Sequence, residues 1–151
     1  MDSNPMYQLV LNMKKSLFDE GYLNSQFTEL EKLQDLDNPN FVEDVVVMFF
    51  RESGKVFATF DAALDEAPRD FRKLEKFGAK FKGSSSSIGA PKLTMECEQL
   101  REACRRENVE ECKAAVKRIK EQHSALRAKL ESYFQLARQV GPPEMAQRPK
   151  Q

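Results

Sequence analysis

Apolar residues recur along this chain at steps of three and four, the period of an amphipathic helix, and the alternating runs typical of strands are scarce. The longest stripe begins after residue 109 and takes in Cys112, Val116, Ile119, His123, Leu126, Leu130, Tyr133, Ala137 and Val140. That is one face of a long helix suited to bundle packing. A second stripe, Phe41, Val45, Phe49, Val56, Phe60 and Ala63, is widened by Val42, Val46, Phe50, Phe57 and Leu64. It predicts the most buried helix. Leu93, Cys97, Leu100 and Cys104 line a shorter one, and two short helices at the start carry Met6, Leu9, Val10, Met13 and Leu17, then Phe27, Leu30 and Leu33.

Helix punctuation agrees with these stripes. Pro5, Pro39, Pro68 and Pro91 each stand near a first turn, where the missing N–H of proline costs nothing. Asn38 is a good N-cap ahead of Pro39, and Asn108 with Glu111 has capping-box spacing. The run VGPP at 140–143 stops the last helix. The prediction is an all-α fold of six helices, over roughly 5–20, 24–35, 39–66, 68–88, 91–106 and 109–140. The four longer ones form an antiparallel four-helix bundle. They make one domain, 1–141, followed by a disordered tail, 142–151.

The segment 69–88 is ambiguous on its residues alone. Phe71, Leu74, Gly78, Phe81, Ser85 and Ile88 fall within one arc of a helix, and this periodicity runs straight into GSSSSI. Gly and four Ser weaken a helix, yet small residues on a packed face let a neighbour come close. A Gly/Ser linker is the alternative.

Composition narrows the function. With 24 basic and 24 acidic residues among 151, there is no basic field for nucleic acid. No apolar stretch approaches the length of a membrane span, and the N-terminus lacks the pattern of a signal peptide. Cys97, Cys104 and Cys112 form neither an even disulfide set nor a CxxC pair, and are read as reduced, buried thiols. The single histidine, His123, lies on the apolar stripe with no Cys or His at ligand spacing beside it. It is read as a core residue with one ring nitrogen satisfied by a neighbour, and no metal or other cofactor is expected.

The stretch FKGSSSSIGA at 81–90 closely resembles the sequence that follows the active histidine in plant histidine-containing phosphotransfer proteins, His-Gln-Leu-Lys-Gly-Ser-Ser-Ser-Ser-Ile-Gly-Ala. The likeness extends over nearly the whole chain, through SLFDEGYLNSQFTELEKLQDLDNPNFVEDVVVMFF and LTMECEQLREAC. It implies that the Ser run is helical, within a four-helix bundle. It also implies a role in a multistep relay of cytokinin type. There, a histidine takes a phosphoryl group from the aspartate of a hybrid kinase's receiver domain and hands it to a response regulator's aspartate.

Aligning on Lys82-Gly83 sets Ala79 at the acceptor position, with Lys80 in place of the family's Gln and Phe77 where plant members often have a second His. A methyl group has no lone pair, so Ala79 cannot accept a phosphoryl group. The resemblance therefore implies a pseudo-phosphotransfer protein. Lys80, Lys82, Gly83 and Ser84 would be the remaining rim of the site. The helical arc turns Ala79 and Gly83 outward, with Lys76 and Lys80 beside them. A receiver-docking surface is expected from Phe27, Leu30, Leu33, Val45 and Met48, with Asp37 and Asp44 at its edge and Lys76 adding charge.

The expected partners are receiver domains of hybrid histidine kinases and of response regulators, bound by a monomer in cytoplasm and nucleus. The chain is expected to be an inhibitor, not an enzyme. Two other readings remain open: an active carrier that uses a non-standard residue, such as His123 or Lys80, and a helical scaffold for other partners. Ser84–Ser87 are targets for a protein kinase only if they are accessible.

Overall fold

The computed structural model describes residues 5–140, and the tail expectation lies outside them. Six helices follow one another: α1 (Pro5–Asp19), α2 (Ser25–Glu31), α3 (Phe41–Asp65), α4 (Phe71–Ser87), α5 (Pro91–Arg105) and α6 (Val109–Val140). No strand occurs among the described residues. Helix α3 packs on α4, α4 on α5, α5 on α6, and α6 back on α3, so the four close a ring. Short connections between successive members make neighbours antiparallel. Helix α1 lies against α6, and α2 bridges α3 and α4.

The stripe of α6 faces inward as its spacing requires: Cys112, Val116, Ile119, His123, Leu126, Leu130 and Tyr133 are all buried. On α3 the widening row supplies much of the core, with Val42, Val46, Phe50 and Leu64 buried beside Phe49, Phe60 and Ala63. Phe81 of α4 is the hub, stacked on Phe49 at 5.5 Å and edge-on to Phe57 and Phe60 at 5.5 and 6.3 Å. Edge-to-face and offset contacts of this kind add to the burial of the rings themselves.

Two features explain how helix continues through a serine run. Ser85 is fully buried, and its hydroxyl donates to the Phe81 carbonyl at 2.9 Å, while Ser87 donates to the Ser84 carbonyl at 2.8 Å. Each hydroxyl thus finds a partner inside the helix. The same face brings α5 close: a Cβ on Gly78 would stand 3.2 Å from Leu100 Cδ2. The helix then turns at Gly89, whose φ of +76° is one that L side chains rarely adopt. A Cβ there would lie 2.4 Å from the backbone nitrogen of Phe27. The Gly89 carbonyl accepts from Asn24 N–H at 3.0 Å, so this turn seats the start of α2.

Several boundaries differ from expectation. Helix α2 stops at Glu31 and not 35, because the Asp35 carboxylate accepts from the N–H groups of Asp37 and Asn38 at 3.0 and 2.9 Å and holds a turn. Asn38 is consumed in that turn and does not cap α3. Asn40 takes the cap position without a side-chain bond, and Gln34 Oε1 accepts from Val42 N–H at 3.0 Å instead. Pro68 does not open α4, since Asp70 caps it two residues later by accepting from Lys73 N–H at 3.0 Å. At α6 the Asn108 cap forms, accepting from Glu111 N–H at 3.0 Å. The Glu111 side chain turns to Arg106 and leaves the capping box half made.

Candidate functional site

Helix α4 buries Leu74, Gly78, Phe81 and Ser85 and leaves Ala79 and Gly83 exposed on the opposite side, one turn apart. A Cβ on Gly83 would meet nothing within 4 Å, so the surface there is open. Phe77 is partly buried against the core. The strip made by Ala79 and Gly83 therefore presents almost bare helix backbone to solvent.

The two borders of this strip differ in charge. Toward α5, Lys82 Nζ meets Glu98 Oε1 at 2.6 Å, and Glu75 Oε2 meets Arg101 and Arg105 at 3.4 and 3.2 Å. The Lys82 hydrogen bond, with its charge and those of Arg101 and Arg105, holds the Glu98 carboxyl below its ordinary range. Lys82 is thus tethered across to α5. On the other border Lys76 and Lys80, four residues apart and both exposed, have no carboxylate within ion-pair distance among the described residues. They are free cations beside the strip.

Of the expected docking residues, Val45 and Met48 come together with Ser84 of the expected rim around a hollow of about 240 Å³ between α3 and α4, with Phe49, Phe81 and Ile88 also in its lining. Met48 is 59 % exposed and Val45 partly so. Leu33, Asp37 and Asp44 are exposed nearby in the chain, on the turn after α2 and the first turn of α3. Phe27 and Leu30 are corrections: both are buried, Phe27 at 1 % exposure with its ring 6.2 Å from that of Phe18 in α1. Both belong to the core and offer little surface to a partner. Leu36, 73 % exposed, was missed. Its signal was a lone leucine between two aspartates in a turn, a position that no core stripe could claim.

His123 is not a spare acceptor. It is 7 % exposed, with Phe57 at 4.7 Å and Phe50 at 4.9 Å edge-on and Phe49 at 6.1 Å. Burial, and secondarily the Arg127 charge, push its pKa down to about 4. The expectation of a core histidine holds, and its Nε2 is buried with no hydrogen-bond partner. The three cysteines are buried and free, Cys104 and Cys112 with sulfurs 3.8 Å apart. Burial pushes the Cys97 thiol up to about 12 and the other two upward as well. No group of metal-ligating side chains gathers among the described residues, and no described helix is long and apolar enough to cross a membrane.

An antiparallel helical ring with an exposed, basic-edged strip on one helix, and with the chain's one imidazole sealed inside, has the form of a phosphocarrier bundle without its carrier group. The Hpt domain family matches residues 44–129. Pseudo histidine-containing phosphotransfer proteins 2 and 5 of Oryza sativa subsp. japonica are 43 % and 44 % identical over 146 and 149 residues, covering 97 % and 99 % of this chain and 97 % and 98 % of theirs. The crystal structure of a histidine-containing phosphotransfer protein from Medicago truncatula matches with a TM-score of 0.85 at 30 % identity, covering 95 % of this chain and 96 % of that one. The chain belongs to the histidine-containing phosphotransfer family, and it is similar to plant pseudo members of that family. Proteins of this family are phosphotransfer carriers of the His-Asp phosphorelay, and they interact with the receiver domains of its kinases and regulators.

Proposed function

We propose that this chain occupies receiver domains of hybrid histidine kinases and response regulators without carrying phosphate. It thereby restrains a relay of cytokinin type. The observation that carries the reading is the pairing of an open α4 strip with a buried histidine: an exposed face is present on α4 while the only imidazole of the chain lies in an aromatic box. Ala79, at the acceptor position by resemblance, offers a methyl group where an imidazole nitrogen would attack phosphorus, so it can form no N–P bond.

On this reading the protein is not an enzyme. It acts by mass action, lowering the concentration of free receiver that active carriers can reach. It works as a monomer, in cytoplasm and nucleus, where the relay runs. Leu33, Met48 and Val45 supply the apolar contact, Asp37 and Asp44 its edge, and Gly83 and Ser84 the face that meets the partner's aspartate pocket. The alternative of an active carrier loses its best candidate, since His123 could reach a phosphoryl group only if the bundle opened.

Calorimetric titration into a hybrid-kinase receiver domain, followed by a competition assay, tests the proposal. Binding should be measurable, and added protein should slow transfer from that receiver to an active carrier. Absence of binding to every receiver tried would refute the reading and favour a scaffold for other partners.

A further inference from the structure

The two borders of the Ala79–Gly83 strip carry their charge in different states. The α5 border is internally neutralised: Lys82 is spent on Glu98, and Arg101 and Arg105 on Glu75. On the other border Lys76 and Lys80 are exposed, with no carboxylate at ion-pair distance among the described residues. At i and i+4 they lie one above the other on the helix, Lys76 next to Ala79 and Lys80 level with the space between Ala79 and Gly83. Nothing fills the strip itself, since Ala79 ends at Cβ and Gly83 has no side chain, with open space above it. A convex partner can approach the backbone here, and two flexible ammonium groups stand at the side of whatever it brings.

Resting on the receiver-binding reading, we infer that Lys76 and Lys80 form a phosphoryl-recognition site, so that this protein prefers a receiver whose aspartate is already phosphorylated. An aspartyl phosphate places added negative charge at the mouth of the acidic pocket that faces α4. In an active carrier, attack by the imidazole would consume that group. Here no imidazole faces it, so the group is not consumed by transfer to this chain and is lost only by the acyl phosphate's own hydrolysis, and the unpaired lysines are the groups available to meet it. Both ammoniums give up only water, not an existing ion pair, to do so. Lys82 would have to leave Glu98 first. The consequence is selective: the protein would withdraw charged receivers from the relay in preference to uncharged ones.

The test measures affinity for one hybrid-kinase receiver domain in two states, with Mg²⁺ alone and with Mg²⁺ plus beryllium trifluoride as the phosphoryl mimic. The natural protein should bind the loaded state roughly tenfold more tightly, the size expected from two partly exposed charge pairs. The double variant Lys76→Gln, Lys80→Gln should weaken binding to the loaded state more than to the unloaded one and so lose most of that ratio. Both substitutions are on exposed helix positions, and unchanged circular dichroism would establish that the variant is folded. Equal affinity of the natural protein for both states overturns the inference and leaves the receiver-binding reading intact. A preference that survives both substitutions also overturns it, because rearrangement of the receiver would then be its source. No binding in either state overturns both.

Discussion

Replacing His123 with leucine should make the protein less sensitive to acid. His123 sits among Phe49, Phe50 and Phe57, and burial lowers its pKa from an ordinary 6.5 to about 4. Between those values the unfolded chain binds a proton that the folded chain refuses. Stability from this group is therefore complete above pH 6.5 and falls away as pH drops toward 4. At pH 4 the loss is about 3 kcal/mol, or roughly 6–12 °C in melting temperature for a domain of this size. The Leu variant keeps an apolar side chain in the aromatic box, removes the unpaired Nε2, and has nothing to titrate. Carboxylates such as Glu98, whose pKa is also lowered, contribute acid sensitivity to both proteins and cancel in the difference. Urea unfolding at intervals from pH 7.5 to 4 would measure both. The gap between natural protein and variant should shift in the variant's favour by about 3 kcal/mol across that range. Parallel pH profiles, or an imidazole that titrates near 6.5 in the folded protein by NMR, would refute the reasoning.

Three further outcomes follow from the same structure. Gly89→Ala should destabilise by about 2 kcal/mol or more in chemical denaturation, since the residue has φ of +76° and a Cβ would strike the Phe27 backbone. A loss below about 0.5 kcal/mol would show that the α4–α5 turn tolerates the side chain. Met48→Glu with Leu33→Glu should weaken receiver binding at least tenfold while leaving the melting temperature nearly unchanged, because both residues are exposed. Cys97, Cys104 and Cys112 should react with a thiol reagent only as fast as the protein unfolds, being buried with thiols pushed upward.

The helices were legible wherever one stripe decided a whole element. Along α6 each apolar step from Cys112 to Tyr133 ended in the core, even at His123, while Ala137 and Val140 are only partly buried against it. The periodicity of 71–88 was also right against local propensity, because Ser85 and Ser87 return their hydroxyls to their own helix. The failures lie at helix boundaries that a particular side-chain bond decides. Gln34 reaches eight residues forward to satisfy Val42, so the cap assigned to Asn38 was not needed. Asp70 outcompetes Pro68 for the start of α4. The site was half legible. Helical phase alone turned Ala79, Gly83, Lys76 and Lys80 outward, but could not say that Lys82 is tied to Glu98 while Lys76 and Lys80 are not. It also could not orient α2, a short helix in contact with two others, where both Phe27 and Leu30 face in and the exposed leucines, Leu33 and Leu36, come after its end.

The central claim is that the docking face of a phosphocarrier persists here without an acceptor. Incubating a phosphorylated receiver domain with the natural protein and with Ala79→His, and following acid-labile label on each, tests it most directly. The account predicts that both bind, that the natural protein remains unlabelled, and that the variant takes up phosphate, because the strip around position 79 is open and Gly83 leaves room for a ring. Label on the natural protein would contradict the account outright. Failure of the natural protein to bind the receiver would contradict it as well, placing the lost function in the surface and not in one missing imidazole.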